Sequence, residues 1–271
     1  MKKLLLIGSL MTLFTFAGAA EMPKEFSVNC GDLEFTLSQR TFWNLRGVIF
    51  KGKKVTSPKS WYGSVTAGQP GIKGWVGSGH MENGIGEKNL KLSFKLDGKE
   101  WTPAAGTAAA KTFEMTKESD LGNLHLVYNL KISGNTVEEE VKYSMLKRNL
   151  ILIYHFMQAL DKSFTAYTLT NNAGEVTRGE FKGKEENIYF KNPKRFTAWS
   201  PKLSAGVICT IENSDALSKE SYIRLHDRAS FRKFYFGPAP RIKVSAGKVY
   251  TQKMTSSYFT GSLEDFEKLT K

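Results

Sequence analysis

The run Leu150-Ile151-Leu152-Ile153-Tyr154-His155-Phe156-Met157 carries apolar bulk on both faces of any extended segment it forms. Such a strand has no side to give to water, so it belongs inside a sheet covered on both faces. The preceding segments behave differently. Leu124, Leu126, Tyr128, Leu130 and Ile132 alternate with His125, Asn129 and Lys131. After Ser133-Gly134-Asn135, Val137, Val141, Tyr143 and Met145 alternate with Glu138, Glu140, Lys142 and Ser144. A period of two predicts an antiparallel hairpin with one wet face. Leu90 to Leu96 alternates too and meets Asp97-Gly98, a strong hairpin turn, before Lys99-Glu100-Trp101. A further strand pair is expected over 221–236 and 242–258, joined by Gly237-Pro238-Ala239-Pro240.

Helix signals are confined to the C-terminus, where Ser262 stands three residues before Asp265, and Leu263, Phe266 and Leu269 keep helical spacing. No repeat, linker or break in composition divides the chain. The expected fold is therefore all-β: one large antiparallel two-sheet sandwich over residues 21–271, closed by a short C-terminal helix.

The first twenty residues read as an address. Met1-Lys2-Lys3 is basic, 4–16 is apolar apart from Gly8, Ser9, Thr12 and Thr15, and Ala17-Gly18-Ala19-Ala20 is small. That order is a secretory signal peptide, too short to span a bilayer. Its removal leaves 251 residues at a charge of +11, with no integral membrane segment, destined for secretion or the periplasm. Export makes a bridge between the only two cysteines, Cys30 and Cys209, possible without requiring it.

The wet hairpin followed by Leu150-Ile151-Leu152-Ile153-Tyr154-His155-Phe156, together with Gly77-Ser78-Gly79-His80-Met81-Glu82-Asn83-Gly84 and Leu96-Asp97-Gly98-Lys99, resembles the galactose-mutarotase-like supersandwich of secreted bacterial proteins. The resemblance covers about residues 60–260. It implies a concave sheet that binds sugars, and its members include mutarotases working with a His and a Glu, and domains of polysaccharide lyases and glycosidases. No such pair is transferred onto this chain.

Three places offer chemistry. The stretch from Trp61 to Glu87 holds Trp61, Trp75, His80, Glu82 and Glu87 among eight glycines. Glycines let a backbone approach closely, tryptophans stack on flat ligands, and His80 with Glu82 share a face when extended. Such a pair serves acid–base work on a sugar hydroxyl. The same loop is equally readable as a structural plug. The second place is His155 within the buried run, a core residue or a substrate contact. The third is Tyr222 to Arg228, where Arg224, His226 and Arg228 share a face that would hold a carboxylate or sulfate on a glycan. Its bland reading is a solvated strand. The expected catalytic residues are His80, Glu82 and His226, and the expected substrate contacts are Trp61, Trp75, Glu87, His155, Arg224 and Arg228.

No P-loop, H-E-x-x-H or C-x-x-C occurs, and no metal or cofactor is expected. The excess of Lys and Arg, scattered along an exported chain, points away from nucleic acid and toward acidic polysaccharide, anionic lipid head groups or envelope polymers. Two functions follow: a secreted carbohydrate-binding or carbohydrate-active protein with His/Glu chemistry, or a non-catalytic envelope or matrix protein using the same sandwich for adhesion.

Overall fold

The doubly apolar run forms most of the strand Asn149–Asp161, which lies inside its sheet, between Phe231–Gly237 and Val65–Ala67. The computed structural model describes residues 22–57, 63–77, 80–81, 86–213 and 220–269. The expected signal peptide, Trp61 and Glu82 lie outside the described residues. From one edge to the other this sheet runs Glu186–Lys191, Tyr222–Asp227, Phe231–Gly237, Asn149–Asp161, Val65–Ala67, Trp75–Gly77 and His80–Met81. Ile242–Val244 pairs with the first residues of the central strand.

A ten-stranded sheet forms the second layer. Its order is Val176–Glu180, Ala166–Asn171, Pro193–Ser200, Ala205–Asn213, Tyr250–Thr260, Thr136–Met145, Leu124–Ser133, Thr112–Leu121, Glu87–Leu96 and Lys99–Glu100. A third sheet, Thr107–Ala110, Glu25–Cys30, Leu33–Ser38, Leu45–Phe50 and Lys53–Lys54, shares the first layer. The inner face of the ten-stranded sheet meets both partners. Phe35 and Phe26 pack on Phe113 and Phe94, while Tyr143 and Phe196 pack on His155 and Phe234. The fold is thus an all-β sandwich, with one layer divided between two sheets.

The alternation read from the sequence sets the hairpin registers. Leu126 faces Tyr143, Tyr128 faces Val141 and Ile132 faces Val137. Asp97 and Gly98 both take positive φ, as a tight hairpin turn of the primed type requires. Ser262 caps the helix Leu263–Leu269 by accepting the Asp265 amide, while Asp265 accepts from the Ser262 amide. Two expectations change. Residues 242–258 do not pair with 221–236. Ile242–Val244 joins the central strand and Tyr250–Thr260 crosses to the ten-stranded sheet, because the Pro-rich connection is too stiff for a hairpin. Leu150 is 52% exposed, since the start of the central strand projects toward a loop end with only Ile242–Val244 beside it.

The central strand also carries a bulge. Phe156 has φ +51°, and the register against Phe231–Gly237 slips between His155 and Gln158. The extra residue turns both His155 and Phe156 toward the core, and Met157 joins Tyr154 on the opposite face.

Glu87 and Lys117 form a buried ion pair at 2.7 Å between neighbouring strands. Lys117 Nζ also donates to Asn44 Oδ1 and to the Phe42 carbonyl. Asn44 Nδ2 and Ser119 Oγ donate to the two Glu87 oxygens. Burial pushes the Lys117 ammonium below its usual range, and Glu87 pulls it back up. Gly63, at φ +122°, backs onto this cluster, and a Cβ there would lie 2.6 Å from Asn44 Oδ1. Cys30 and Cys209 are buried free thiols, pushed up to about 11 and about 12 mainly by burial.

Breaking this pair on one side strands a charge in the interior. Glu87→Ala is expected to cost about 3–5 kcal/mol in urea unfolding at neutral pH. Replacing both partners by apolar residues, Glu87→Leu with Lys117→Met, should recover most of that loss. A cost for Glu87→Ala alone under about 1 kcal/mol would contradict the account.

Candidate functional site

The face of the first sheet turned away from the core carries an aromatic cluster. Period two places Tyr222, Arg224 and His226 on it, while Ile223 and Leu225 enter the core. The register sets Tyr235 opposite Arg224 and Lys233 opposite His226, with Tyr189 and Asn187 on the other flank. Tyr154 comes from the central strand and Trp75 from two strands further on. Trp75 stacks on Tyr154 at 5.6 Å between ring centroids, and Tyr154 lies 5.3 Å from Tyr235 and 5.9 Å from Tyr222. Burial, and then the neighbouring Tyr154, push the Tyr222 phenol above its usual range. Beside this wall lies a cavity of about 560 Å3 lined by Leu152, Tyr154, Tyr189, Tyr222 and Pro240, with Lys191 and Glu220 also bordering it.

Two cations lie against one ring. Arg224 Cζ is 5.4 Å and Lys233 Nζ 4.9 Å from the centre of Tyr235. Arg224 donates to Asn187 Oδ1. Among the described residues neither cation has a carboxylate within ion-pair distance. Burial, and then the nearby Arg224, push Lys233 down to about 8. His226 is 9% exposed and its Nε2 meets no hydrogen-bond partner among the described residues. Burial, Arg224 and Lys233 hold its imidazole below the usual range, against an opposing pull from Asp227. The face therefore combines flat apolar rings, two cations and a neutral histidine whose buried Nε2 has no hydrogen-bond partner among the described residues.

The residues singled out from the sequence divide. Trp75, Arg224 and His226 come together on this face. Arg228 stands just past the strand end, paired with Glu185. Glu87 lies in the buried ion pair described above, and His155 is fully buried on the core side. His80 is on the outermost strand, His80–Met81, with its backbone opposite Gly77. That strand lies five strand spacings from the His226 strand, roughly 24 Å at about 4.8 Å each. The tyrosine wall went unread in the sequence, although Tyr222 shares the parity of Arg224 and His226, and Tyr154 that of Leu152. Nothing along the chain says that Tyr154, Tyr222 and Tyr235 meet.

Comparison of the sequence with protein-family models and with curated proteins finds no match. Comparison of the fold with solved structures does. A Salmonella typhimurium protein provisionally named a mutarotase (YeaD) superposes with a TM-score of 0.54 at 11% identity, over 86% of this chain and 90% of that one. An Escherichia coli K12 protein provisionally classed as an aldose 1-epimerase gives 0.50 at 9%, over 87% and 99%. The fold is that of the galactose-mutarotase-like sandwich. The galactosidase domain of an α-galactosidase–sucrose kinase gives 0.55 at 8% identity, over 88% of this chain and 41% of that one. At these identities the likeness carries the fold alone.

Behind the aromatic face of this mutarotase-like sandwich runs a polar seam. His155 Nδ1 and Ser64 Oγ share a hydrogen bond of 2.8 Å, and burial pushes the imidazole down to about 3. Gln158, just past the bulge, donates to Ser256 and accepts from Cys209. Tyr128 donates to Glu139 Oε1 at 2.8 Å, while burial drives that carboxyl up to about 7. The two titrations act on stability with opposite signs. Glu139 is raised in the folded state, so its contribution is complete below about 4.5 and is lost as pH rises through about 7. His155 is lowered, so its contribution is complete above about 6.5 and is lost as pH falls through about 3. Glu139→Gln is therefore expected to flatten the decline of stability above pH 4.5, and His155→Gln the decline below pH 6.5. Urea midpoints measured across that range check both. An unchanged profile in either variant would count against that group.

Proposed function

We propose that this chain is an exported protein that binds an acidic carbohydrate on its tyrosine-lined face. The observation that carries the reading is the pairing of Arg224 and Lys233 on the Tyr235 ring with no carboxylate among the described residues to neutralise either. An acidic sugar would supply that carboxylate, and the apolar face of its ring would lie against Tyr154, Tyr222 or Trp75. The fold shared with carbohydrate-related proteins supports a sugar as the ligand class. Export rests on the basic, apolar and small-residue order of residues 1–20.

His226 is the group for acid–base chemistry, since its Nε2 has no hydrogen-bond partner among the described residues and stays neutral beside the two cations. On a uronate held by Arg224 and Lys233, that nitrogen would take the proton next to the carboxylate, the C–H electron pair moving into the carboxylate as an enediolate that the two cations hold, until the imidazolium returns a proton to that carbon.

Calorimetric titration with a uronate-containing oligosaccharide and its neutral counterpart tests the proposal. The acidic ligand should bind more tightly. Arg224→Ala and Lys233→Met should each weaken it about 10- to 100-fold, the size of a lost charge-assisted hydrogen bond, while barely altering the neutral ligand. Trp75→Ala should weaken both. Wild-type affinity for the acid should fall as pH rises through about 8 and Lys233 loses its proton, and Lys233→Met should abolish that limb. Equal affinity for both ligands, or none for either, would overturn the reading.

A further inference from the structure

At one end of the sandwich two loops lie side by side. Met145 and Ala246 form an isolated bridge, and the Gly247 amide donates to the Met145 carbonyl. Asn149 and Leu150 then pair with Val244 and Lys243. The loops following Thr136–Met145 and Ile242–Val244 are thus tied into one double tip. Its aliphatic side chains point into solvent: Leu146 is 94% exposed, Val249 55% and Leu150 52%. Lys147, Arg148, Arg241, Lys243 and Lys248 surround them, and all five are exposed. Neither 141–150 nor 238–253 contains an Asp or Glu. Among the described residues none of these five cations has a carboxylate within ion-pair distance. Asp120, which borders the adjoining cavity, is engaged by His125 Nδ1 at 3.0 Å.

We propose that this double tip docks on the surface of an anionic phospholipid bilayer. The charge arrangement selects that occupant. Five unneutralised cations ask for a sheet of anions, and the aliphatic groups among them ask for hydrocarbon behind it. A hydrated polyanion satisfies the first demand and leaves Leu146 in water. A protein interface of ordinary strength uses a broad patch with aromatic anchors, and the two narrow loops hold none at their crests. The lipid headgroup layer presents phosphate first and acyl chain a few ångströms deeper, the order in which Lys or Arg stems and a leucine at a tip would meet it. The inference is independent of the sugar proposal, since the tip shares no residue with the Arg224–Lys233 pair.

The test is vesicle co-sedimentation of the protein as purified from its host, with its N-terminus sequenced. Binding is expected to phosphatidylcholine vesicles containing one third phosphatidylglycerol, to weaken with added salt, and to be absent with phosphatidylcholine alone. Each of Lys147→Gln, Arg148→Gln, Lys243→Gln and Lys248→Gln should lower the partition coefficient about fivefold. Leu146→Ser should lower it roughly tenfold. These side chains are exposed, so circular dichroism should show the fold unchanged. Leu146→Trp gives a direct reading: its emission should shift to the blue and be quenched by brominated lipid only on anionic vesicles. A retained leader peptide would bind all variants alike, so the differences between variants report the tip. Binding that is absent, equal in the quadruple glutamine variant, or unaccompanied by an emission shift in Leu146→Trp would overturn the proposal. Soluble heparin bound through the same cations with vesicles ignored would overturn it in favour of a polyanion.

Discussion

A strand with no wet side has to be enclosed, and much of this molecule follows from enclosing Asn149–Asp161. Its backbone groups are satisfied by strands on both edges, as a buried strand demands. One of its faces is covered by the ten-stranded sheet, through contacts such as Tyr143 on His155. Among the described residues no third layer covers the other face. Leu152, Tyr154 and Met157 are sheltered there by Trp75, Tyr222 and Tyr235 from neighbouring strands. Tyrosine suits that duty, because its ring takes the burial and its hydroxyl can still reach a polar partner. The aromatic wall is thus the sheet's own substitute for a missing layer, and it is also the surface on which a flat ligand can lie.

Charges in this fold fall into two kinds. Lys117 with Glu87, and Arg232 with Asp227, are buried pairs whose remaining atoms are met by hydrogen bonds. Asp227 accepts from the Lys182 and Gly183 amides and so ties a loop to the edge of the first sheet. These groups have spent their capacity internally. Arg224 and Lys233 are half-buried, lean on a tyrosine and lack a counter-charge among the described residues. The distinction separates charge that holds the sandwich together from charge that faces outward for a partner, and cation content alone does not reveal it.

The likeness to solved structures at 8–11% identity fits this picture. Alternating apolar side chains, turn residues and buried strands specify the sandwich, and many sequences meet those conditions. The chemistry of the exposed face is set by a few residues that the fold does not dictate. His226, Lys233 and the tyrosines are features of this chain's own face.

How much was legible follows the range of each interaction. Period-two alternation over Leu124–Met145, the Asp97-Gly98 turn and the Ser262–Asp265 cap are local, so the sequence alone determined the β class, the main hairpin, its register and the terminal helix. Parity along one strand likewise put Arg224 and His226 on a single face. It also put Glu139 on the inward side with Val137 and Val141, a signal that passed unread because carboxylates are rarely buried. Everything that needed a second strand was out of reach. The same residue types fitted a ligand-facing Glu87 and a buried one, and only Lys117 from the neighbouring strand and Asn44 from the turn before Leu45–Phe50 made it a buried ion pair. A single backbone residue, Phe156 at positive φ, decided which face His155 and Met157 occupy. Tertiary structure alone decided those points, because strand order and bulges arise from hydrogen bonds between segments far apart in sequence, and no periodicity within one segment encodes its neighbour.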